Sequence, residues 1–463
     1  MSLAFDAWHL PGVDIRALAT LALGDLTVRY PEPTPELIAS TIAQLGDAGE
    51  RLREHTVTEL VEVIDAAAGR LLDPEDAIRG EAIEGLSAAG YSRSMAARVV
   101  DGMARDWRAD RLRRLLDAEL GDPAVLDELR PAGDGRRTRA YGPRLAYHVF
   151  SGNVPGVAVT SLVRALLVKA PSLGKLAADG PVLPVLFARA VSAVAPTVGR
   201  ALAVTYWPGG LTEPEQQAVR AADTVIVYGG EEVVASYRDR VREDTRLVVH
   251  GPRFSVGLVS RSALDRDLDG TARSVARAVA MFDQQGCVSP HAVWVETGGE
   301  TGPEDLADAV ARALQAVEDE LPRGRLSPAE ASAIQQERTA AELKGHQPGG
   351  PSVRVLTGDG TRWTVIYDSD PAFVPSCLNR LVRIHPVDGL DEAVDRLAPV
   401  GRYLQSVAVA APDPTRRRLA DRLARVGVTR ITTFDRLPWP PPDWHHDGQE
   451  PLRELLRWVD LES

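Results

Sequence analysis

Cysteine is nearly absent from this chain: two in 463 residues. That excludes a disulfide framework and fits a reducing compartment. Positive charge is also in deficit. The net charge of −12 argues against a general nucleic-acid binder or a binder of anionic membranes. Residues 1–20 lack a basic stretch followed by an apolar core, so no signal peptide is predicted. No apolar run is long enough for a bilayer. Val154 to Leu167 is interrupted by Thr160, Ser161 and Arg164. Also missing are an internal repeat, a G-x-G-x-x-G fingerprint, a G-x-S-x-G elbow and a C-x-x-C pair. What remains is ordinary for a soluble globular protein, with 44% apolar and 25% charged residues. A cytoplasmic, soluble protein of two to four structural units is expected.

Residues from about 34 to 130 have helical periodicity, as in Leu37, Ile38, Ile42 and Leu45, or Leu112, Leu115, Leu116 and Leu120. Pro131 to Arg139 is polar, Gly-rich and basic, and reads as a linker. From Leu145 strands and helices alternate. Strands are predicted at 145–150, 201–206, 224–228 and 247–249, with helices at 157–168, 182–194, 213–222 and 233–241. The alternation continues with helices at 264–281, 303–318, 328–342, 389–397 and 414–425. Strands are predicted at 292–296, near Val353 and Thr364, and at 406–410. This pattern predicts an α/β protein with parallel sheets and crossover helices. The tail has a proline cluster, then Trp444-His445-His446-Asp447-Gly448. A short amphipathic helix using Leu452, Leu455, Leu456 and Val459 is predicted after it.

The segment Phe282-Asp-Gln-Gln-Gly-Cys-Val-Ser-Pro-His291 carries Cys287 on a turn between a predicted helix and strand. A thiolate there would have access, and its own backbone N–H as an oxyanion donor. Free cysteines are more often buried packing residues; the surrounding Gly, Ser, Pro and His favour the nucleophile. Ser151-Gly-Asn-Val-Pro-Gly156 follows a predicted strand, and Asn153 offers side-chain N–H donors at its C-terminal end; the segment reads equally as a turn. Lys175 lies where it could donate to ribose hydroxyls or phosphate, although a surface lysine is the default. Gly229 and Gly230 end a strand before a helix whose free N–H groups could meet a pyrophosphate. His445, His446 and Asp447 could ligate a metal, but without matching partners a structural role is favoured and no metal is expected.

Taken in order, these pieces resemble the aldehyde dehydrogenase superfamily. More closely, the chain is similar to the LuxC-type acyl-CoA (fatty acyl) reductases. The resemblance rests on Tyr147 to Gly156, Phe282 to His291, Leu378 to Pro386, Trp444 to Gly448 and Leu456 to Glu462. It implies an aldehyde dehydrogenase-like fold in four parts: a helical region 1–135, a nucleotide-binding domain 136–262, a catalytic domain 263–435, and a tail 436–463 that serves oligomerisation. It implies Cys287 as nucleophile, Asn153 in the oxyanion hole, Lys175 at the cofactor ribose, and Gly229 and Gly230 at the pyrophosphate. Two departures matter. The superfamily's general-base Glu falls in Val249-His-Gly-Pro-Arg253, which has no carboxylate; His250 becomes a candidate acid or base. A ribose-binding Glu matches Ala178, which permits a 2′-phosphate and hence NADPH, with NADH as the alternative.

The expected reaction is reduction of an acyl thioester, acyl-CoA or carrier-bound, to the aldehyde through an S-acyl Cys287. The alternatives are a CoA-acylating aldehyde dehydrogenase running in reverse, a Cys-dependent acyl transferase without hydride transfer, and a non-catalytic interaction module. Expected partners are the acyl donor, an acyl-transfer or carrier protein, and further copies of the chain. Neither the acyl group nor its carrier can be read from the residues.

Overall fold

Helix start signals appear where the N-terminal third becomes helical. Thr34 accepts the Leu37 N–H, Asp76 accepts Ile78 N–H, Ser92 accepts Met95 N–H, and Thr56 forms a capping box with Glu59. The helices Pro35–Glu54, Val57–Leu72, Ala77–Ala89, Arg93–Asp106 and Ala109–Leu120 follow the predicted periodicity. The computed structural model describes residues 3–133, 135–210 and 212–462. Before the helices lies sheet, inside the stretch read as helical. Leu26–Pro31 pairs parallel with Leu3–Asp6 and antiparallel with Leu18–Leu23. The cause is visible in Leu26-Thr-Val-Arg-Tyr30, whose apolar residues alternate and are buried.

The chain divides into two compact units, Met1–Gly251 with Pro441–Ser463, and Pro252–Pro440. The first contains a sheet ordered Arg246–His250, Thr224–Tyr228, Ala146–Val149, Ser172–Leu176, Leu202–Tyr206 and Trp8–His9. Its first five strands are mutually parallel, and Trp8–His9 is antiparallel. Ser172–Leu176 is buried throughout as an inner strand. Leu145, Tyr147, Val149, Val225 and Val227 pack with Trp207 and Tyr237 on one face. This double-sided burial explains the runs of β-branched residues.

The second unit contains a sheet ordered Val353–Thr357, Thr364–Asp368, Leu381–Val387, Pro290–Glu296, Phe254–Val259, Leu404–Ala410 and Arg430–Thr432. All neighbours are parallel except the edge pair Val353–Thr357 and Thr364–Asp368.

The tail differs from its sequence reading. Arg453–Leu455 is one 3-10 turn, and Arg457–Leu461 is a strand antiparallel to Arg137–Tyr141, in the segment read as a linker. Leu452, Leu455 and Leu456 are buried, while Trp458 and Val459, good strand formers, pair with a partner strand that local periodicity does not reveal.

Candidate active site

Parallel pairing in the first unit brings the C-terminal ends of five strands to one edge. The register aligns Val149 with Lys175 and with Val227, and Tyr228 with His250. The segments after these ends carry Asn153, Ala178, Gly229 and Gly230, with His250 ending its own strand. Strand order reverses at Ala146–Val149: the next strands run to one side, and Thr224–Tyr228 returns to the other. A switch point of this kind leaves a crevice where α/β sheets bind ligands.

The loops there are built to approach one another closely. A Cβ on Gly152 would lie 1.8 Å from Asp179 Oδ1, and one on Gly180 would lie 2.7 Å from the Gly152 Cα. The two loops therefore touch backbone to backbone, which only glycine allows. Asn153 is exposed; its Oδ1 accepts the Ser151 hydroxyl at 2.8 Å and its carbonyl accepts the Tyr91 hydroxyl at 3.2 Å. Anchoring Oδ1 sets the orientation of the amide NH2. Ala178 is exposed on the neighbouring turn. Gly230 caps the helix Glu231–Arg238 without a side-chain cap, and open space surrounds the position of its missing Cβ. The backbone thus meets what a pyrophosphate needs, although Glu231 and Glu232 in the first turn oppose negative charge.

Lys175 is buried, not a surface lysine. Its ammonium donates to Glu215 Oε2 at 3.0 Å and lies 5.8 Å from the Trp207 ring. Glu215 also accepts from the Tyr237 hydroxyl and, at 3.0 Å, from Arg240. Burial pushes the Glu215 carboxyl up, but Tyr237, Lys175 and Arg240 together hold it below its ordinary range. Glu215 drew no attention in the sequence, because its partner is distant along the chain.

His250 meets the tail. Its Nδ1 lies 2.9 Å from Asp447 Oδ2, and both side chains are nearly buried. The His250 ring stacks between Tyr228 and His446, and His446 stacks in turn on Trp444. Asp447 adopts a left-handed φ of 57°, an uncommon conformation for a non-glycine residue. His250, His446 and Asp447 bring ligand atoms within 4.8 Å of one another. The buried Arg164 lines the same cavity as His250 and His446, so a cationic group already stands beside them. His445 is exposed and is not in this cluster.

In the second unit, the helix Leu268–Ala280 ends in a 3-10 turn, Met281–Gln284, and Cys287 follows on a turn before Pro290–Glu296. Cys287 is half-buried. The turn is held by strained backbone locked from outside. Phe282, Asp283 and Gln284 have φ of 55°, 51° and 66°, and Leu378, Asn379 and Arg380 have φ of 67°, 58° and 65°. These two left-handed runs interlock. The Gln284 amide donates to the Pro290 and Leu381 carbonyls and accepts the Leu381 N–H, each at 2.8 Å. Gln285 donates to Asn379 Oδ1 at 3.0 Å. Arg380, fully buried, donates to Asp283 and Glu318 at 2.7 Å. Each left-handed residue is costly alone and persists because its surroundings over-determine it. Ser255 completes the frame by donating to the Cys287 carbonyl at 2.8 Å.

The register of Phe254–Val259 shifts against both of its neighbours beside Ser255. Bulges of this kind concentrate next to active sites and re-aim side chains. The other cysteine, Cys377, is pushed up to about 11 by burial and is a poor thiolate. The segments containing Gln284, Asn379 and Arg380 were visible as motifs; Ser255 and Glu318 carried no local signal.

The family described as Acyl-CoA reductase (LuxC) matches residues 52–458. The chain is 26% identical over 353 residues to a long-chain acyl-protein thioester reductase of Aliivibrio fischeri, covering 75% of this chain and 70% of that protein. It is 26% identical over 358 residues to the protein of the same description in Photobacterium phosphoreum, covering 75% and 68%. A NAD-dependent benzaldehyde dehydrogenase from Corynebacterium glutamicum superposes with a TM-score of 0.73 at 16% identity, over 99% of both chains. Aldehyde dehydrogenase 21 from Physcomitrella patens superposes with a TM-score of 0.73 at 13% identity, over 96% and 95%. At such identities the structural likeness shows the fold, which is aldehyde dehydrogenase-like.

Proposed function

The chain belongs to the acyl-CoA reductase (LuxC) family, and from that premise we propose that it reduces an acyl thioester to an aldehyde, with Cys287 as nucleophile. The observation that carries this reading is the Cys287 turn: a half-buried thiol in a backbone held by Gln284, Arg380 and Ser255. Such rigidity keeps a nucleophile in attack geometry.

The Cys287 thiolate attacks the thioester carbonyl. A C–S bond forms to Cys287, the carrier C–S bond breaks, and the carrier thiol leaves with a proton. The Cys287 N–H and the Asn153 amide are assigned to the oxyanion. The segment Val249 to Arg253 supplies no carboxylate to activate water, which favours reduction of the S-acyl enzyme over its hydrolysis. His250 is the candidate acid or base. Its Nδ1 is engaged with Asp447, which leaves Nε2 as the atom that would exchange a proton. A nicotinamide cofactor, when bound, supplies the hydride that brings the acyl group to the aldehyde level. Its pyrophosphate is assigned to Gly229 and Gly230, and its ribose to Lys175. Ala178 presents no carboxylate to repel a 2′-phosphate, which supports NADPH, with NADH as the alternative. The relatives' description makes a protein-bound acyl thioester a donor to test beside acyl-CoA. The partly exposed edge strand Arg457–Leu461 supports a homo-oligomer.

Intact-protein mass spectrometry tests the scheme. Wild type and Cys287→Ala are mixed with acyl-CoAs and with an acylated carrier protein, without and then with NADPH. An acyl mass on wild type alone, discharged by NADPH as aldehyde forms, is the expected result. Acylation that only another thiol or amine discharges would make the protein a transferase. Aldehyde formation by Cys287→Ala would overturn the assignment of the nucleophile.

A further inference from the structure

Glu215 is the meeting point of two cations in the first unit. Its Oε2 accepts from the Lys175 ammonium at 3.0 Å, and its Oε1 accepts from Arg240 Nη2 at 3.0 Å. The Tyr237 hydroxyl donates to the same carboxylate. Among the described residues, neither Lys175 nor Arg240 forms an ion pair with any other carboxylate. Two positive groups therefore stand one carboxylate apart, and the cluster keeps a surplus of one positive charge.

Arg240 follows the helix Glu231–Arg238 and runs back along it. Its Nε donates to the Ser236 carbonyl at 2.8 Å, and its guanidinium carbon lies 4.4 Å from the centre of the Tyr237 ring. The guanidinium is thus level with Ser236 and Tyr237, about 10 Å along the helix axis from Gly230 at the helix start. Nε and Nη2 are engaged. Nη1 has no hydrogen-bond partner among the described residues, and 25% of the side chain is exposed. A planar guanidinium held on a ring with one edge open suits a phosphate oxygen. The backbone nearby also leaves room for a ligand. Nothing lies within 4 Å of the missing Cβ of Gly209, Gly210 or Gly230.

We propose that Arg240 is the specificity-determining residue for the cofactor: its guanidinium, beside the Lys175 ammonium, binds the 2′-phosphate that distinguishes NADPH from NADH. The proposal deepens the reductase reading and rests on the assignment of the cofactor ribose to Lys175. A ribose held by that ammonium has its 2′ substituent next to the neighbouring cation. A 2′-hydroxyl needs no second positive charge. A 2′-phosphate brings about two negative charges, and the surplus positive charge of the cluster meets them. Ala178, three residues after Lys175, adds no carboxylate against them.

The test is nucleotide binding without any thioester, read by the fluorescence of NADPH and NADH on wild type, Arg240→Gln and Arg240→Lys, each with its melting temperature. Arg240→Gln keeps an N–H donor for Glu215 and loses the cation. It is expected to lower the ratio of NADPH to NADH affinity about 10–100-fold. Arg240→Lys keeps the charge but not the fork, and is expected to recover part of that ratio. An unchanged ratio in Arg240→Gln would overturn the proposal. So would an equal loss of both nucleotides, which assigns Arg240 to propping Glu215 alone. If Arg240→Gln does not fold, wild type is treated with phenylglyoxal and Arg240 is read by peptide mass. Protection by 2′,5′-ADP and not by 5′-AMP supports the proposal; equal protection by both, or by neither, overturns it. The reductase reading fails separately: a wild type that binds neither nicotinamide nucleotide removes that reading and this one with it, whereas tight NADH binding with no preference for NADPH removes only the role of Arg240.

Discussion

Single residues show where chemistry and strain meet. Asn153 is exposed, and its amide is oriented through Ser151. If it is an oxyanion donor, Asn153→Ala lowers the acylation rate about 10²–10³-fold with little loss of stability; single-turnover acylation read by mass checks both halves of that expectation. Arg380 has the opposite profile. It is fully buried between Asp283 and Glu318. Burial pushes the Asp283 carboxyl up, and Arg380 opposes that shift. Arg380→Met removes the buried cation that Asp283 and Glu318 share, leaving Arg362 on Glu318, at an expected cost of about 3 kcal/mol in urea unfolding. Cys287 was legible because its neighbours form a continuous motif. Glu215 and Ser255 were not, because what distinguishes them is a partner far along the chain. The pairing of His250 with Asp447 spans 197 residues, and periodicity does not reach across such a distance.

Elements were legible where amphipathic period or strand composition was strong. Val182–Val194 and Thr224–Tyr228 lie where the pattern put them. Ser172–Leu176, Phe254–Val259 and Leu381–Val387 were not foreseen, although all three are inner strands. Each carries Gly, Lys, Ser, Arg or Pro among its apolar residues, and pairing on both sides overrides that weak propensity. The strands also hold neutral histidines. His148 sits between Ser161 and Ser172, at 2.8 and 3.2 Å, and burial lowers it from 6.5 to about 3. His291 is lowered to about 4 by burial. Below 6.5 the unfolded chain binds protons that the folded chain refuses. These groups therefore leave stability intact above about pH 6.5 and reduce it as pH falls toward 4. The urea midpoint should fall over that window, and His291→Gln should remove about one proton from its pH slope. An unchanged slope in that variant would refute the account.

At the scale of the whole molecule, the tail decides what the first unit presents. Arg457–Leu461 adds an edge strand beside Arg137–Tyr141 and leaves Trp458, Val459 and Leu461 partly exposed. An apolar strand edge is a pairing surface. Light scattering is expected to give wild type a multiple of 49.9 kDa and Trp458→Glu a smaller mass; a wild-type monomer would refute the assembly. Among the described residues, no helix is long and apolar enough to cross a membrane. The sequence by itself determined the α/β alternation, the helical stretch after residue 34 and the Cys287 turn. Each of these is written in neighbouring residues as a period, a cap or a turn. Tertiary structure alone decided that Lys175 is committed to Glu215, that two left-handed runs lock one turn and that the tail is a strand. These features depend on which strands pair and in what register, and that choice is made by burial of both sheet faces across hundreds of residues rather than by any local preference.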